Sequence, residues 1–467
     1  MKHLFILGGG SGAFAAAIRA AELGARVTMV ERDAIGGTCV NRGCVPSKTL
    51  IRAAEVRHLR SGHAFAGISA GDGRVEMGAL VRQKRELVAR VRRSKYRDVL
   101  DSYQGIEYVR GEARFVGPEE VTVRLEAGGQ RRLRADRIVI ATGARPWVPA
   151  IPGIEEVPYW TNEEALEAEE LPDRLLVAGG GPVGLELAQL FARLGSRVTL
   201  VAPRLAPGAD PEVSAALAGC LHDEGLVVHL PARLRGVLPA NGELRCVAEV
   251  EGRQVEVAAD RILLATGRVA NTGALNLTAA GVQPTRRGFI SVDRLMRTYI
   301  PHIYAVGDCT TLPKFVYVAA KAGTIAAENA LAAGERELDL SAMPAVIFTD
   351  PQVAWVGLTE AEARAQGTPV LSRTLPLEHV PRALANRDTR GLLKIVARES
   401  DGRILGVHAL MPSAGEVIQT AVLAVKLGLT TDDLADALFP YLTEVEGLKL
   451  AAQTFTRAIE RLSCCAG

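Results

Sequence analysis

The sequence predicts an α/β fold that contains two copies of one strand–turn–helix–strand unit, followed by a smaller α+β domain. Residues 4–31 (LFILGGGSGAFAAAIRAAELGARVTMVE) are matched at a constant offset by residues 175–202 (LLVAGGGPVGLELAQLFARLGSRVTLVA). Two further apolar segments, 136–146 and 260–270, also match each other, and both contain Ala-Thr-Gly. After about residue 340 the pattern changes to strands and an amphipathic helix, without another copy of the unit.

Each copy reads as a buried strand, a glycine-rich turn, an amphipathic helix and a second strand, which together form a βαβ unit with a right-handed crossover. Because an Ala-Thr-Gly segment follows each copy, we expect one such domain to be inserted into the other. The predicted domains cover residues 1–145 with 270–338, residues 146–269, and residues 339–467.

The C-terminal third is predicted to be a packing or subunit-interface domain. Residues 391–411 read as two strands joined by an Asp-Gly turn. An amphipathic helix is expected at about 415–427, and Gly428 suits its C-terminal end. This part has no glycine-rich fingerprint of its own.

Composition excludes several classes of function. The chain has 467 residues, 48% of them hydrophobic, and a net charge of only +2, so no strong attraction to nucleic acid is expected. The first apolar run, Leu4–Leu7, is too short for a signal peptide, and no later run is long enough to span a membrane. We therefore expect a cytoplasmic protein without membrane insertion.

Seven cysteines at uneven spacing do not form the framework of a secreted disulfide-rich protein. In a reducing cytosol, cysteines that pair do so for redox chemistry. The isolated Cys220, Cys246 and Cys309 are expected to be small buried hydrophobic residues.

Two glycine motifs are predicted to bind dinucleotides. Both Gly8-x-Gly10-x-x-Ala13 and Gly179-x-Gly181-x-x-Gly184 follow a strand and open a helix. Glycines allow a tight turn and a close approach of backbone N–H groups to a pyrophosphate at the helix N-terminus. A glycine-rich turn without a ligand is the alternative, and the repeat disfavours it. The fold class is therefore two Rossmann-like dinucleotide-binding domains plus the C-terminal α+β domain.

The two sites are predicted to take different cofactors. Glu31 ends the second strand of the first copy, where a carboxylate accepts hydrogen bonds from a ribose diol. The aligned residue in the second copy is Ala202, and Arg204 follows it. Without the carboxylate, an arginine can pair with a 2′-phosphate. The first site thus suits FAD and the second NADPH; an exposed surface arginine is the alternative for Arg204.

The segment GGTCVNRGCVPSK, residues 36–48, is predicted to carry redox chemistry through Cys39 and Cys44. Zinc is disfavoured because no second ligand pair is visible nearby. If the segment is helical, a disulfide across one turn can form, and a helix N-terminus together with Lys48 would favour the thiolate. Further cofactor contacts are expected from residues of this segment and of the Ala-Thr-Gly segments: Gly37, Thr38, Thr142, Gly143 and Gly267.

Residues 82–100 (RQKRELVARVRRSKYRDVL) are predicted to form a strongly basic helix. A solvated helix face is the simpler interpretation. A local contact with an anion is the alternative.

The cysteine segment, the two glycine motifs and AVGDC at 305–309 resemble the pyridine nucleotide–disulfide oxidoreductase family over nearly the whole chain. The resemblance implies that Cys44 lies against the flavin as the charge-transfer thiol and that Cys39 is the interchange thiol facing the substrate. It also implies that Asp308 binds the FAD ribityl chain and that the C-terminal domain forms a homodimer.

One departure concerns the substrate. Members that reduce organic disulfides carry a C-terminal His as general base with a Glu five residues later, whereas here Tyr441 takes the place of the His and Glu446 is kept. A tyrosine with a pKa near 10 is a poor base at neutral pH. Reduction of an organic disulfide is therefore disfavoured.

The chain ends in LSCCAG, and the adjacent thiols Cys464 and Cys465 are predicted to capture a soft metal ion. Incidental cysteines in a frayed tail are the alternative. The tail, residues 441–455 and residues 313–323 with Tyr317 resemble those family members that reduce Hg²⁺. This implies NADPH-dependent reduction of Hg(II) to Hg(0), with Tyr317 and Tyr441 lining the inner site.

In such members the tail serves the neighbouring subunit, so the resemblance implies an obligate homodimer. Hg(II) would be held first by Cys464 and Cys465 and then by Cys39 and Cys44. Because the sequence opens at the first strand, without an N-terminal metal-binding domain, delivery is expected to depend on the tail or on thiols in solution. The alternatives are a thioredoxin-reductase-like enzyme with a cysteine tail, which Tyr441 disfavours, and a mercury-sequestering protein.

Overall fold

The computed structural model describes residues 2–71, 73–240, 243–332 and 334–462. The strands, in chain order, are β1 His3–Leu7, β2 Arg26–Glu31, β3 Ile106–Phe115, β4 Glu120–Leu125, β5 Gln130–Arg134, β6 Arg137–Ile140, β7 Ala144–Pro146, β8 Tyr159–Trp160, β9 Arg174–Ala178, β10 Arg197–Val201, β11 Val227–His229, β12 Ala232–Ala240, β13 Glu243–Val250, β14 Arg253–Ala259, β15 Arg261–Leu264, β16 Arg268–Ala270, β17 Ile303–Ala305, β18 Pro344–Ile347, β19 Gln352–Gly357, β20 Val370–Pro376, β21 Leu392–Arg398 and β22 Ile404–Met411.

The helices are α1 Ser11–Glu22, α2 Gly37–Arg42, α3 Cys44–Ser61, α4 Met77–Arg92, α5 Asp98–Asp101, α6 Asn162–Glu167, α7 Pro182–Leu194, α8 Pro211–Asp223, α9 Val316–Leu331, α10 Glu360–Ala365, α11 Pro381–Asn386, α12 Ala414–Leu427, α13 Thr431–Asp436 and α14 Glu446–Gln453. A π-helical turn, Arg93–Arg97, separates α4 from α5. Among the described residues, none of these helices has both the length and the apolar composition that crossing a bilayer requires.

The chain divides into two compact units. The first comprises Met1–Thr49, Gly78–Trp147 and Gly267–Asp339, and the second comprises Leu50–Met77, Val148–Thr266 and Leu340–Gly467. The first unit is built on a seven-stranded sheet in the order β17-β6-β1-β2-β3-β4-β5, in which β17 to β3 run parallel and β3 to β5 antiparallel.

Helices α1 and α9 of the first unit pack closely because small residues line their contact. Ala13 is fully buried in α1, and the α1 glycine Gly12 lies against the backbone of Ala319 in α9. On α9, a side chain at Gly323 would overlap the carbonyl oxygen of Gly12. The close contact of the two helices explains why glycines occupy positions 12 and 323.

The second unit contains a parallel five-stranded sheet, β11-β10-β9-β15-β8, and its strand register confirms the internal repeat. Leu4 of β1 pairs with Val27 of β2, and the corresponding Leu175 of β9 pairs with Val198 of β10. The same correspondence holds between the segments that contain Ala-Thr-Gly, because β6 pairs with β1 as β15 pairs with β9. The two βαβ units are therefore copies of one fold.

An antiparallel five-stranded sheet, β18-β19-β22-β21-β20, forms the C-terminal part of the second unit. Strands β21 and β22 form the predicted hairpin, and α12 ends at Leu427 with Gly428 in the left-handed conformation (φ 70°), as predicted. Helices α12 and α14 cover one face of this sheet with buried apolar side chains. The α+β character expected of this region is thus confirmed.

A buried ammonium group joins the N-terminal turn of α8 to this sheet. Lys394 on β21 is almost fully buried, and its Nζ lies 3.1 Å from Asp210 Oδ1, 2.7 Å from Glu212 Oε1 and 3.1 Å from Glu360 Oε2. Burial lowers the pKa of Lys394, but the three carboxylates more than offset this and raise it. Since the charge cannot reach water, it depends on these partners.

We predict that Lys394→Met destabilises the protein by about 3–5 kcal/mol, because it leaves the buried Asp210 carboxylate without its cation. The measurement is the midpoint of urea denaturation followed by circular dichroism. Arg253→Met is the control, because Arg253 is an exposed residue of β14 whose charge should contribute little. Equal midpoints for the two variants would contradict the prediction.

Candidate active site

The first glycine turn, between β1 and α1, has the geometry of a dinucleotide cradle. A Cβ on Gly8, whose φ is 120°, would overlap the carbonyl oxygen of Ala141 at the end of β6. The N–H of Gly9 donates to Glu31 Oε2 at 2.7 Å, so the carboxylate at the end of β2 lies beside the turn. Side chains are thus excluded where a pyrophosphate approaches, and a ribose acceptor stands next to it.

A cleft of about 430 Å³ opens beside this turn. Its lining includes Gly8, Glu31, Thr142 and Asn271. The Asn271 amide donates to the carbonyl oxygen of Thr142 at 3.2 Å, which holds the two sides of the cleft together. The residues present fit the adenosine end of FAD, with glycines at the turn and a carboxylate at the ribose position.

Asp308 lies in a 3₁₀ turn that follows β17. Burial raises the pKa of this carboxyl, while Arg268, whose Nε is 3.8 Å from Asp308 Oδ2, acts in the opposite direction. The neighbouring Cys309 is fully buried, and its thiol donates to the carbonyl oxygens of Ile140 and Val306. A largely buried carboxylate just beyond the end of β17, a parallel strand at the edge of the sheet, suits a ligand rich in hydroxyl groups, such as a ribityl chain.

The second glycine turn, between β9 and α7, repeats the first. A Cβ on Gly179 would overlap the carbonyl oxygen of Ala265, and one on Gly184 would overlap that of Gly179. Here the position of the acidic residue is taken by Ala202, which is fully buried, and Arg204 is exposed. Over the described ranges, no carboxylate lies within ion-pair distance of the Arg204 guanidinium.

The predicted cysteine pair lies across a break between two helices, not within one helix as the sequence analysis allowed. Cys39 is in α2, which ends at Arg42, and Cys44 is the first residue of α3. Gly43 separates them, and a Cβ there would lie 3.1 Å from the carbonyl oxygen of Thr38. The chain therefore turns sharply at Gly43, and this brings the second thiol back to the first.

The thiols of Cys39 and Cys44 are hydrogen-bonded to each other. A hydrogen bond to Cys44, together with burial, raises the pKa of Cys39 far above its usual range, while the charge of Lys48 acts in the opposite direction. Cys44 is the more exposed of the two thiols. Neither forms a disulfide in this structure, and the burial of Cys220, Cys246 and Cys309 confirms the expectation for the isolated cysteines.

The cysteine segment packs directly on the first glycine turn. A Cβ on Gly37 would lie 2.6 Å from the Cα of Gly10, so this position also requires glycine. Asn41 fastens the segment, because its side-chain amide donates to the carbonyl oxygens of Ala34, Ile35 and Gly37. The role of Asn41 is not apparent from the sequence, since an asparagine inside a short helix carries no recognisable signal of it.

Tyr96 is a second residue that the sequence analysis missed. It lies in the π-helical turn, its hydroxyl hydrogen-bonds the side chain of Ser11, and its ring meets Phe14 edge-on at 4.5 Å between centroids. Burial raises the pKa of Tyr96, and the charges of Cys39 and Cys44 raise it further. A phenol therefore lies close to the thiol pair. In the sequence, Tyr96 stands out only as a single aromatic residue within a basic segment.

Of the residues predicted to handle the substrate, Tyr317 and Tyr441 are exposed, and the tail cysteines lie outside the described residues. Tyr317 is in the first turn of α9, stacked on Phe315 at 5.3 Å, and partial burial raises the pKa of Tyr317. Tyr441 is largely exposed. Glu446, which follows it, is buried and accepts a hydrogen bond from the N–H of Leu442 at 3.2 Å. Cys464 and Cys465 lie outside the described residues.

Comparison with known proteins agrees with this geometry. Residues 2–323 match the family described as pyridine nucleotide-disulphide oxidoreductase, and residues 343–452 match its dimerisation domain. The solved flavoprotein disulfide reductase RclA of Escherichia coli is 30% identical, with a TM-score of 0.85 over 97% of this chain and 99% of its own. LpdA of Mycobacterium tuberculosis is 29% identical, with a TM-score of 0.85 over 98% of this chain and 100% of its own.

Three curated relatives are mercuric reductases. That of Acidithiobacillus ferrooxidans is 51% identical over 100% of this chain and 84% of its own length. The mercuric reductase of Shigella flexneri is 50% identical over 100% of this chain and 83% of its own length. That of Streptomyces lividans is 48% identical over 99% of this chain and 98% of its own length. Family membership implies FAD and a nicotinamide dinucleotide as cofactors. The chain belongs to the pyridine nucleotide-disulphide oxidoreductase family and, within it, to the mercuric reductases.

Proposed function

We propose that this chain reduces Hg(II) to elemental Hg(0) with electrons from NADPH, through FAD and the Cys39–Cys44 pair. The observation that carries the proposal is a hydrogen-bonded thiol pair on a segment that packs on an FAD-type glycine turn. The chain is also about half identical, over its full length, to mercuric reductases. Tyr441 in place of a basic histidine supports a metal ion over an organic disulfide as the substrate.

The cofactors would be held by the residues of the two turns. Glu31 would accept hydrogen bonds from the FAD ribose, Asp308 would hold the ribityl chain, and Arg204 would pair with the 2′-phosphate of NADPH. Bound FAD supplies the chemistry of accepting hydride from NADPH and passing on two electrons. Further backbone or side-chain contacts are assigned to residues of the two nucleotide sites: Gly8, Gly10, Ala13, Gly37, Thr38, Lys48, Thr142, Gly143, Gly179, Gly181, Gly184 and Gly267.

The thiol pair would take Hg(II) by ligand exchange. Cys39 and Cys44 each form a mercury–sulfur bond, and the two thiols that carried the ion leave with the two protons. Two electrons then convert the bound ion to Hg(0), and both cysteines remain as thiolates. The hydrogen bond to Cys44 and burial raise the pKa of Cys39 and so oppose the loss of its proton in this exchange. The charges of Cys39 and Cys44 raise the pKa of Tyr96, so its phenol lies near the thiols that carry out this step.

Capture of the ion is assigned to Cys464 and Cys465, with Tyr317 and Tyr441 lining the inner site. We further propose a homodimer in which the tail of each chain serves the site of its partner. This is supported by the match to the dimerisation domain. Free thiols throughout the described residues suit a reducing compartment, and we place the enzyme in the cytoplasm.

The function is tested by following NADPH oxidation with and without Hg²⁺ in excess thiol. We expect oxidation to depend on Hg²⁺ and volatile mercury to appear in proportion to it. Cys39→Ser with Cys44→Ser should abolish the reaction, whereas Cys246→Ser, which changes a buried thiol outside the site, should not. Mercury that stays bound without NADPH oxidation would instead identify a sequestering protein.

A second prediction concerns the nucleotide. Arg204→Ala should raise the KM for NADPH roughly 10- to 150-fold with little effect on NADH, because a charge-assisted contact contributes about 1.5–3 kcal/mol. Arg233→Ala is the matched control, since Arg233 is an exposed arginine of the same unit. Equal KM values for NADPH and NADH in the parent enzyme would contradict the assignment.

A third prediction concerns the tail. Cys464→Ala with Cys465→Ala should lower turnover most for Hg²⁺ held by a bulky dithiol, because such a complex must exchange ligands before the ion reaches the inner pair. Some activity should survive with bromide as the only ligand. Reduction of a small artificial acceptor should be unchanged, which reports on intact cofactor sites. Parent-level turnover of the dithiol complex by the double variant would remove the tail from the delivery path.

A further inference from the structure

The segment that carries Tyr96 is the most basic part of the chain. Residues 82–101 contain eight basic and three acidic side chains, although the whole protein has a net charge of only +2. Helix α4 and the π-helical turn Arg93–Arg97 account for most of this segment. The structure shows where this charge lies and which part of it is uncompensated.

Several of the cations already have partners. Arg92 Nη1 donates to Asn41 Oδ1 at 3.4 Å, and Arg97 Nε lies 3.1 Å from Asp101 Oδ2. Three others, Arg90, Arg93 and Lys95, are exposed. Over residues 2–71, 73–240, 243–332 and 334–462, none of these three has a carboxylate within ion-pair distance. We call Arg90, Arg93 and Lys95 the cationic patch.

The residues of the cationic patch alternate along the chain with Arg92 and Tyr96, which contact the cysteine segment and the start of α1. Arg92, which lies between Arg90 and Arg93 in the chain, touches Asn41, and Asn41 holds the carbonyl oxygen of Gly37. Tyr96, which follows Lys95, is in hydrogen-bond contact with Ser11 and interacts electrostatically with both thiols. Each residue of the cationic patch is therefore at most two positions in the chain from Arg92 or Tyr96.

The nearby acidic groups do not cancel the patch. Asp33 of the same loop is paired with Arg42, and Asp101 is paired with Arg97. Of the acidic residues in this segment, only Glu86 and Asp98 are left to offset the three positive charges of the cationic patch. Because the Debye length is about 10 Å at 0.1 M salt, exposed charges beside Arg92 and Tyr96 still act on an ion that approaches this surface at low ionic strength.

We propose that the cationic patch makes anionic thiol complexes of Hg(II) the preferred substrates, an inference that rests on the proposed function. Two thiolates neutralise Hg²⁺, so a complex with carboxylate-bearing thiols is negative by one charge for each carboxylate. The patch attracts such a complex towards the surface of the first unit near the cysteine segment, where the ion exchanges its ligands, and repels a complex of amino thiols. Electrostatic guidance of this kind raises association rates and weakens with salt.

The test compares three small thiols of similar size that differ in charge: 3-mercaptopropionate, 2-mercaptoethanol and cysteamine. kcat/KM for Hg(II) is measured with each thiol in excess, at ionic strengths from about 10 mM to about 300 mM. For the parent enzyme we expect kcat/KM to be about tenfold higher for the anionic than for the cationic complex at low salt, and the ratio to approach one at high salt.

The patch variant Arg90→Gln, Arg93→Gln, Lys95→Gln should lose this preference and keep parent kcat/KM for the neutral complex. Glutamine preserves helix propensity at these exposed positions. The matched control is Arg114→Gln, Arg233→Gln, Arg253→Gln, which removes the same charge from exposed strand positions of the described chain. The control should retain the preference, because overall charge is not its cause.

Three results would overturn the proposal: a preference that survives in the patch variant, an equal loss with all three thiols, or a loss of the preference in the control. Reduction of the bound flavin by NADPH, measured in every variant, shows that the cofactor sites are intact. If the parent fails to oxidise NADPH even with the neutral complex, the proposed function fails and this inference fails with it. If the parent is active but shows no preference for the anionic complex, only the proposal about the cationic patch is refuted.

Discussion

The close approach of a glycine Cα to a strand-end carbonyl is the contact on which both nucleotide sites depend. Gly8 meets the carbonyl oxygen of Ala141, and Gly179 meets that of Ala265. A Cβ at either glycine would overlap the oxygen, so the strand, the turn and the helix could not keep their relative positions. The helix N-termini and their N–H groups are directed at a pyrophosphate only because this contact is free of side chains.

The thiol pair depends on the same contact indirectly. Gly37 packs on Gly10, and this places the cysteine segment on the first turn. Asn41 ties the segment to its own backbone, and Tyr96 reaches back to Ser11 at the start of α1. The redox pair and the cofactor turn thus form one packed assembly, so a displacement of the turn would also displace the thiols. The coupling of Cys39 to Cys44 follows from the break at Gly43.

Buried and exposed cations of this chain differ in whether they are paired with carboxylates. The buried Lys394 is surrounded by carboxylates, because an unpaired ammonium away from water is costly. By contrast, Arg90, Arg93 and Lys95 are exposed to water, and no carboxylate of the described part of the chain lies within ion-pair distance of them. Hydrated charges cost little to leave unpaired and act at a distance, which suits recognition better than stability.

The sequence alone determined the repeat, the two glycine turns, the cysteine pair and the C-terminal hairpin with its helix and Gly428. These features are encoded locally, in spacing, periodicity and residues that only certain backbone conformations accept. The sequence did not reveal Asn41 and Tyr96 as parts of the site or the break of the cysteine segment at Gly43. The contacts of Asn41 with Arg92 and of Tyr96 with Ser11 join positions far apart in the chain, and neither residue type is distinctive by itself. Tertiary packing alone brings them to the thiols, because the turn that places one helix beside another is set by many weak contacts that no short pattern records.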